Sequence, residues 1–321
     1  MSETTLERES TFFPVALAML EPGEVLPCEI WIRHDGGQPV LYRSANLPFT
    51  AEHRQRLLDA GVEHVYVSFA EAEAWNRYLE QRLQDRISDP RTPLVERTRI
   101  LIDTAAPLMR EVLENPAAPG VRERVGHLAD AIVHLIDGPE AFATAIQLME
   151  HDYYTYTHCT HVSIYLVALA RECGVDAPDV LASLGRAGLM HDCGKCRVPR
   201  ELINKPGKFT PAEWEQMKRH PVEGARILEE AGWQDDVVRE ICLRHHERMD
   251  GTGYPDGLVG RELGRFTRMA AIVDAFDAMT TDRSYQKGMT GFEALRIIHG
   301  RGKDEYDQEL VRVFLGLMVR P

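Results

Sequence analysis

The chain has 321 residues, of which 44% are hydrophobic and 27% are charged, and its formal net charge is −13. This composition is typical of a globular protein with room for two domains, and the acidic excess argues against a protein that coats DNA or RNA, which needs a basic face. No apolar stretch approaches the ~20 residues of a membrane helix, and the acidic N-terminus does not resemble a signal peptide. We therefore expect a cytoplasmic protein that neither inserts into a membrane nor binds a nucleic-acid polymer.

The first 90 residues are predicted to form a small α+β module. β-Branched and aromatic residues are concentrated in three runs that turn signals separate, at residues 29–33, 40–42 and 64–67. A helix is predicted between Thr50, a suitable N-cap, and Gly61, a suitable stop. The module (residues 1–90) carries no cluster of potential catalytic side chains, so our hypothesis is that it has a regulatory or dimerisation role.

The rest of the chain is predicted to be almost wholly helical. A polar helix over residues 71–87 leads into Asp89-Pro90 and Thr92-Pro93, where we place the domain boundary. Apolar residues then recur at helical spacing in the segments 94–113, 121–136, 141–148, 156–173, 178–191, 211–231, 235–246, 268–280, 291–299 and 307–318. The predicted fold class is therefore mainly α, with connecting helices over residues 91–139 and a helical domain over residues 140–321.

The six cysteines are scattered along the chain and do not indicate a disulfide scaffold. Cys193 and Cys196 form a C-x-x-C, but no second C-x-x-C completes a four-cysteine zinc site. We favour small buried side chains beside a site made of other ligands over a redox or zinc role.

Histidines and aspartates are concentrated at helix ends and on helix faces of this domain. Imidazoles and carboxylates suit borderline divalent metals, and such ligands from several helices can surround a cavity inside a bundle. A carboxylate such as Asp192 can bridge two metals about 3.5–4 Å apart, an arrangement that suits phosphodiester hydrolysis. A single helical histidine is more often a packing residue, and we assign His151 and His161 to that class.

Two motifs carry a resemblance to a known family. H-D-x-G-K occupies His191 to Lys195, and H-H-E-x-x-D-G-x-G-Y-P occupies His245 to Pro255. With these motifs the chain resembles, over roughly residues 140–321, the HD-GYP phosphodiesterases, a branch of the HD hydrolase superfamily. The resemblance implies an HD-type helical bundle and a hydrolase that cuts cyclic di-GMP to linear pGpG, to GMP, or to both.

The resemblance also implies roles for individual residues. The implied metal ligands are His158, His191, Asp192, His220, His245, His246 and Asp274. Asp192 would bridge two ions that activate a hydroxide, and Lys195 would neutralise the scissile phosphate or help to protonate the leaving oxygen. Asp277, one helical turn after Asp274, would support the ligands or assist proton transfer, with a charge on the helix face as the alternative.

Substrate contacts are implied for two further segments. Gly253, Tyr254 and Pro255 would form a lip of the site, and in the family this segment is also implicated in contacts with GGDEF-domain cyclases. We weigh the substrate lip and the partner surface equally. Arg283 and Lys287 are candidates to contact phosphate or guanine.

Two departures from the family pattern concern recognition and metal number. Gln286 stands where the family has a second basic residue, which leaves the strength of guanine recognition open. Some members bind a third ion through a glutamate one turn before His158, and this chain has Tyr154 there, with Glu150 a further turn back. We therefore expect two divalent ions, iron or manganese first and zinc, nickel or cobalt as alternatives, with a third ion less favoured. The resemblance also implies a homodimer.

Three alternatives stay open at this point. The protein could bind cyclic di-GMP as a receptor with weak or no turnover, although the full ligand set argues against this. It could act on another substrate, and here the complete Gly-Tyr-Pro motif favours a cyclic dinucleotide over a triphosphate without choosing between cyclic di-GMP and cyclic GMP-AMP. It could also be a scaffold that docks cyclases through the loop of Tyr254.

Overall fold

The computed structural model describes residues 11–33, 38–149, 157–281, 288–300 and 304–319. The chain divides into two compact units between Gln84 and Asp85. In the described parts of the chain, no helix combines the length and the apolar character that a membrane span requires.

The first unit contains a four-stranded antiparallel sheet with the strand order β1-β4-β2-β3. Its strands are β1 (Phe12–Ala16), β2 (Ile30–Ile32), β3 (Val40–Arg43) and β4 (His64–Ser68). Val65 and Val67 of β4 are fully buried while their neighbours are more exposed, the alternation expected when one face of a sheet is covered. The three predicted strands are confirmed, and the structure adds β1, which pairs along its whole length with β4.

Two helices complete the first unit, and local chemistry sets their ends. The hydroxyl of Thr50 accepts the backbone N–H of His53 at 3.3 Å, and the His53 ring accepts the N–H of Thr50 at 3.0 Å. This reciprocal cap starts α1 (Ala51–Asp59), and Gly61 with φ +70° follows its end. Helix α2 (Ala72–Ser88) follows a 3₁₀ turn and contains the division between the two units.

The second unit is helical. Its helices are α3 (Leu94–Glu114), α4 (Val121–Leu135), α5 (Pro139–Met149), α6 (His158–Glu172), α7 (Pro178–Met190), α8 (Arg200–Ile203), α9 (Pro211–Met217), α10 (His220–Glu230), α11 (Asp236–Arg244), α12 (Arg265–Thr280), α13 (Gly291–Gly300) and α14 (Gln308–Met318). Helix α6 is buried on all sides from Cys159 to Ala170 and packs against α7 and α12. The structure thus has the predicted mainly helical fold with a small N-terminal α+β module.

Glycine allows α6 and α7 to pack closely. A Cβ atom on Gly188 would lie 2.4 Å from the Cα of Ser163, a distance that no side chain tolerates. The contact brings the beginning of α6, at His158, near the end of α7, where His191 and Asp192 follow Met190.

Aromatic packing fixes α12 against α6 and α14. Phe276, Tyr165 and Phe314 lie with ring centroids 5.1–5.9 Å apart and nearly perpendicular planes. Burying each such side chain contributes roughly 1.5–3 kcal/mol. The middle of α12, which carries Asp274, is therefore held rigidly.

The prediction of one helix over residues 211–231 is wrong. The structure has two helices, α9 and α10, that are separated at Lys218 and Arg219. Pro221 explains the break because it has no N–H to donate to the carbonyl of Met217 and its ring clashes with that carbonyl in a continuous helix. The freed Met217 oxygen accepts a hydrogen bond from Nδ1 of His220 at 2.8 Å instead.

Candidate metal centre and nucleotide groove

Helix ends bring most of the predicted ligands together. Two sets of donor atoms lie within 4.8 Å of one another in the described residues. We call the first the His158 group, which consists of His158, His191 and Asp192. We call the second the His220 group, which consists of Asp192, His220, His245 and His246. The geometry can therefore hold metal, and Asp192 belongs to both groups.

The carboxylate of Asp192 faces one group with each of its oxygens. Its Oδ2 lies 3.4 Å from Nε2 of His191 and 3.7 Å from Nε2 of His158. Its Oδ1 lies 3.3 Å from Nε2 of His220 and 3.8 Å from Nε2 of His245. This is the arrangement that a bridging carboxylate requires.

Asp274 contacts members of both groups from α12. Its Oδ1 lies 3.2 Å from Nε2 of His158 and 3.7 Å from Nε2 of His191. Its Oδ2 lies 3.7 Å from Nδ1 of His246. All seven predicted ligands are thus assembled around one buried point.

Backbone carbonyls orient three of the imidazoles. Nδ1 of His191 donates to the Gly188 oxygen at 2.8 Å, and Nδ1 of His245 donates to the Cys242 oxygen at 3.0 Å. His220 makes the equivalent bond to Met217. In each neutral ring the proton therefore resides on Nδ1, and the lone pair of Nε2 is directed towards the cluster.

Several buried acceptor atoms of the site lack a donor, and a bound cation would stabilise them. Nε2 of His220 lies 3.3 Å from Nε2 of His245, so two lone pairs face each other in the neutral rings. Nε2 of His191 and Oδ1 of Asp192 are buried and have no hydrogen-bond partner among the residues that the structure describes. Buried acceptors without a donor are costly, and divalent ions at the two donor groups would satisfy these atoms. The residues therefore fit a metal centre.

The carboxylates of the site remain ionised. Burial raises the pKa of Asp192, but the charge of Lys195 and contacts with His191 outweigh it and hold that pKa well below its usual range. Asp274 behaves similarly, because its contacts with His158 and His246 outweigh burial and lower its pKa. Anionic oxygens are thus available for a metal at neutral pH.

Two histidines are kept neutral. Burial, then repulsion from His191, lowers the pKa of His245 to about 3. Burial also holds the pKa of His246 well below its usual range, and His245 contributes to the shift. A neutral imidazole is the form that binds metal.

His158 is the opposite case in the metal-free protein. Burial lowers its pKa, but hydrogen bonds to Asp274 and Asp277 outweigh burial and raise that pKa to about 10. A metal that binds at Nε2 of His158 must therefore displace a proton.

Asp277 lies behind His158 and connects it to His161. Its Oδ2 accepts from Nδ1 of His158 at 2.6 Å, and its Oδ1 accepts from Nδ1 of His161 at 3.0 Å. Thr281 donates a third hydrogen bond, at 3.0 Å. Sequence reasoning assigned His161 to ordinary packing and missed this link, although its position three residues after His158 puts both on one helix face.

The H-D-x-G-K motif has a structural cause as well as a chemical one. A Cβ on Gly194 would lie 1.9 Å from the carbonyl oxygen of His220, so only glycine lets this 3₁₀ turn pack on α10. Lys195 then pairs with Asp192 through its ammonium group. Cys193 is fully buried with its sulfur 3.9 Å from that of Cys242, which agrees with the packing role predicted for it.

Glu247 anchors the loop that contains Gly253, Tyr254 and Pro255. Its carboxylate is buried and accepts three backbone N–H groups, from Asp256, Gly257 and Leu258, at 2.7–3.1 Å. A Cβ on Gly253 would lie 2.4 Å from the backbone nitrogen of Arg248. The glutamate and the glycine of this motif therefore fix the loop against the end of α11.

A groove of about 440 Å³ opens beside this loop and reaches the His220 group. Its lining residues are Trp214, Lys218, His246, Arg248, Thr252, Gly253, Tyr254 and Glu305. The Tyr254 ring lies 4.7 Å from the His246 ring, and burial, with the negative charges of Asp274 and Asp192, raises the Tyr254 pKa, so its hydroxyl stays protonated.

Several predicted contacts cannot be compared with this groove. Arg283 and Lys287 lie outside the described residues, as do Gln286, Tyr154 and Glu150. Pro255 lines a second, smaller groove that also includes Lys218 and Tyr254, with a volume of about 290 Å³. Sequence reasoning missed the groove residues Trp214, Lys218, Arg248 and Glu305, although Arg248 occupies a variable position inside the H-H-E-x-x-D-G-x-G-Y-P motif.

Comparisons with known proteins agree with this geometry. A cyclic di-GMP phosphodiesterase of Pseudomonas aeruginosa is 41% identical over 178 residues, which are 55% of this chain and 42% of that protein. A 3'3'-cGAMP-specific phosphodiesterase of Vibrio cholerae is 33% identical over 202 residues, which are 60% of this chain and 44% of that protein. The chain thus matches less than half the length of each relative.

A solved structure and a family profile extend the comparison. An HDG"Y"P protein of Bdellovibrio bacteriovorus has the same fold, with a TM-score of 0.68 and 21% identity over 96% of this chain and 99% of that one. The profile of the HD domain family matches residues 143–310, more than half of the chain. This match includes every residue of the two donor groups, and the chain belongs to the HD domain family.

Proposed function

We propose that the protein is a metal-dependent phosphodiesterase that hydrolyses cyclic di-GMP to pGpG, to GMP, or to both. The observation that carries this proposal is the carboxylate of Asp192, which faces a separate donor group with each oxygen. A paired centre of this kind suits the hydrolysis of a phosphodiester. The names of the matched relatives support the substrate.

Two divalent ions would be held by the His158 group and the His220 group, with Asp192 between them and Asp274 beside both. The mixed imidazole and carboxylate ligands favour iron or manganese, with zinc, nickel or cobalt as alternatives. When bound, the ions lower the pKa of water and stabilise charge that develops on the phosphate. A third ion is less favoured.

The protein's own side chains supply charge and protons around the phosphate. The pKa of Lys195 is raised because attraction to Asp192 outweighs burial, so its ammonium stays protonated at neutral pH. This ammonium neutralises a phosphate oxygen and holds a proton for the leaving oxygen. The protonated hydroxyl of Tyr254 is a second donor at the groove.

A second candidate substrate is cyclic GMP-AMP. The relative from Vibrio cholerae is named for that nucleotide, and it matches a slightly longer part of this chain than the relative from Pseudomonas aeruginosa does. Both nucleotides offer the same phosphodiester chemistry to the donor groups, so only the base contacts distinguish them.

The test is hydrolysis of both cyclic dinucleotides by protein loaded anaerobically with Fe(II) or Mn(II). We expect pGpG or GMP from cyclic di-GMP, and no product from Asp192→Ala. Asp236→Ala is the matched control, because that side chain is 96% exposed on α11. Preferential cleavage of cyclic GMP-AMP would correct the substrate, and binding without product from either nucleotide would indicate a receptor.

Three predictions stay as they were made. These are the regulatory role of the first module, a homodimer, and the docking of GGDEF-domain cyclases at the Gly253–Pro255 loop. Retention of cyclase binding by Asp192→Ala would separate docking from hydrolysis.

A further inference from the structure

Trp214 is an exposed aromatic side chain at the mouth of the metal cluster. It belongs to α9, keeps 43% of its surface exposed, and lines the groove together with His246 of the His220 group. An exposed aromatic ring that lines a groove beside polar groups is available to contact a ligand there.

The Trp214 ring is held rigidly from behind. Phe209 stacks on it with centroids 6.2 Å apart and planes 18° apart, and Phe209 packs against the buried cluster of Val198, Leu202 and Met217. Tyr254 meets it nearly perpendicularly at 5.9 Å. A rigid aromatic surface loses little conformational entropy when a flat ligand stacks on it.

The rest of the groove suits an anionic ligand. Lys218 and Arg248 line it, where Lys218 pairs with Glu215 at 2.7 Å and Arg248 lies 3.9 Å from Glu305. Arg248 is fixed in place, because it donates to the Glu247 carbonyl at 2.9 Å and its guanidinium lies 4.9 Å from the Tyr306 ring centroid. Both cations can exchange these carboxylate partners for the oxygens of a phosphate, the contact that ammonium and guanidinium groups make with nucleotides.

We propose that Trp214 is the stacking platform for one purine base of the nucleotide whose phosphodiester is bound by the donor groups. The proposal rests on the proposed function and adds a base-binding subsite to it. The groove joins the cluster at His246 and its volume of about 440 Å³ lies within the range of small-molecule pockets. Stacking is tolerant of base identity, so Trp214 would set affinity for nucleotides in general.

The kinetic test compares Trp214→Leu with Trp214→Phe in the metal-loaded full chain. Leucine keeps apolar cover over Phe209 but removes the aromatic ring, whereas phenylalanine keeps a ring. We expect Trp214→Leu to raise KM for cyclic di-GMP about 10-fold, within the roughly 5- to 150-fold range of base stacking, and to change kcat little. Trp214→Phe should restore KM to within about 3-fold of the wild-type value, because another aromatic ring can stack.

Phe292→Ala is the control variant, because that ring is 74% exposed on α13 and lines no part of the groove. It should leave KM unchanged. In an active protein, an unchanged KM for Trp214→Leu overturns the proposal. A loss of kcat with unchanged KM also overturns it, because that result would indicate a positioning role instead.

A binding test works even if the protein hydrolyses nothing. GMP should quench the tryptophan fluorescence of the wild type, and ribose 5-phosphate, which has no base, should not. The quenching should disappear in Trp214→Phe and persist in Phe292→Ala. Quenching by GMP without hydrolysis would contradict the proposed function and leave the stacking platform standing. If GMP quenches Trp214→Phe as much as it quenches the wild type, the stacking platform is overturned even in a protein without activity.

Discussion

The histidines of the metal centre are oriented in two different ways. In the His220 group, His220 and His245 donate Nδ1–H to backbone carbonyls one turn earlier on the chain. In the His158 group, His158 donates to the carboxylate of Asp277, which comes from α12. His191, the other histidine of the His158 group, donates to the Gly188 carbonyl in the same local way, so His158 is the histidine whose orientation depends on a tertiary contact.

This difference determines which imidazoles a single substitution can misorient. A backbone carbonyl is present whatever side chain occupies the position, so the imidazoles of His191, His220 and His245 are hard to misorient by a substitution outside the ligands themselves. The orientation of His158 depends on one side chain, which a single substitution removes. We therefore expect the His158 group to be the more easily lost of the two.

Asp192→Ala should have the largest effect, because it removes the carboxylate that both groups share. We expect metal content to fall at both groups and activity to fall by more than the ~100-fold that loss of an outer partner costs. Metal analysis of the purified protein, with Asp236→Ala as the control, measures this. Full occupancy of either group in Asp192→Ala would contradict a shared bridge.

Asp277→Ala should distinguish the two groups. It leaves Nδ1 of His158 and of His161 without an acceptor, so we expect metal affinity of the His158 group to fall by about 10- to 100-fold while the His220 group keeps its ion. Titration with Mn(II), followed by metal analysis, should show one strong site and one weakened site. Equal weakening of both sites would mean that the groups are not independent.

Glu247→Gln should affect the loop and neither donor group. The amide oxygen of glutamine still accepts, but its amide nitrogen only donates and would face a backbone N–H that Glu247 now accepts, so we expect roughly 1–2 kcal/mol less stability and a raised KM. Thermal unfolding and kinetics measure these effects, with metal content unchanged. A loss of metal in this variant would show that the loop supports the ligands.

Asp235→Asn should have the smallest effect, and one that depends on pH. Asp235 caps α11 and pairs with Arg186 at 2.8 Å, and although burial raises the Asp235 pKa, these contacts outweigh it and lower the pKa below the ordinary 3.8. Because the folded pKa is depressed, the stabilisation is complete well above pH 3.8 and is lost as the pH falls through the folded value.

Asparagine retains the cap but not the charge, so Asp235→Asn should cost about 0.5–1 kcal/mol at pH 7. Denaturant unfolding of wild type and variant at pH 7 and at pH 3 measures the difference, which should shrink at the lower pH. A difference that stays constant between these pH values would show that the ion pair does not contribute.

Much of the site was predictable because its ligands belong to short motifs. His191 with Asp192, and His245 with His246, are neighbours in the chain and follow the ends of α7 and α11, so local sequence fixes their relative position. Helix periodicity and capping residues likewise predicted most element boundaries, since these depend on hydrogen bonds within one turn.

Long-range contacts decided the rest. Asp277 and His161 are 116 residues apart, and no local pattern indicates that one carboxylate joins His161 to His158. The groove that Trp214 lines likewise depends on the way α9 packs beside the loop that Glu247 anchors.

The sequence by itself determined the helical class and the ligand types, because propensity and motif spacing act within a few residues. Only the tertiary structure decided that Asp192 faces two groups, that Asp277 orients His158, and that Trp214 stands open beside the cluster. These features depend on packing between helices that are distant in the sequence. No short stretch of sequence encodes that packing, because it is selected by the free energy of the whole fold.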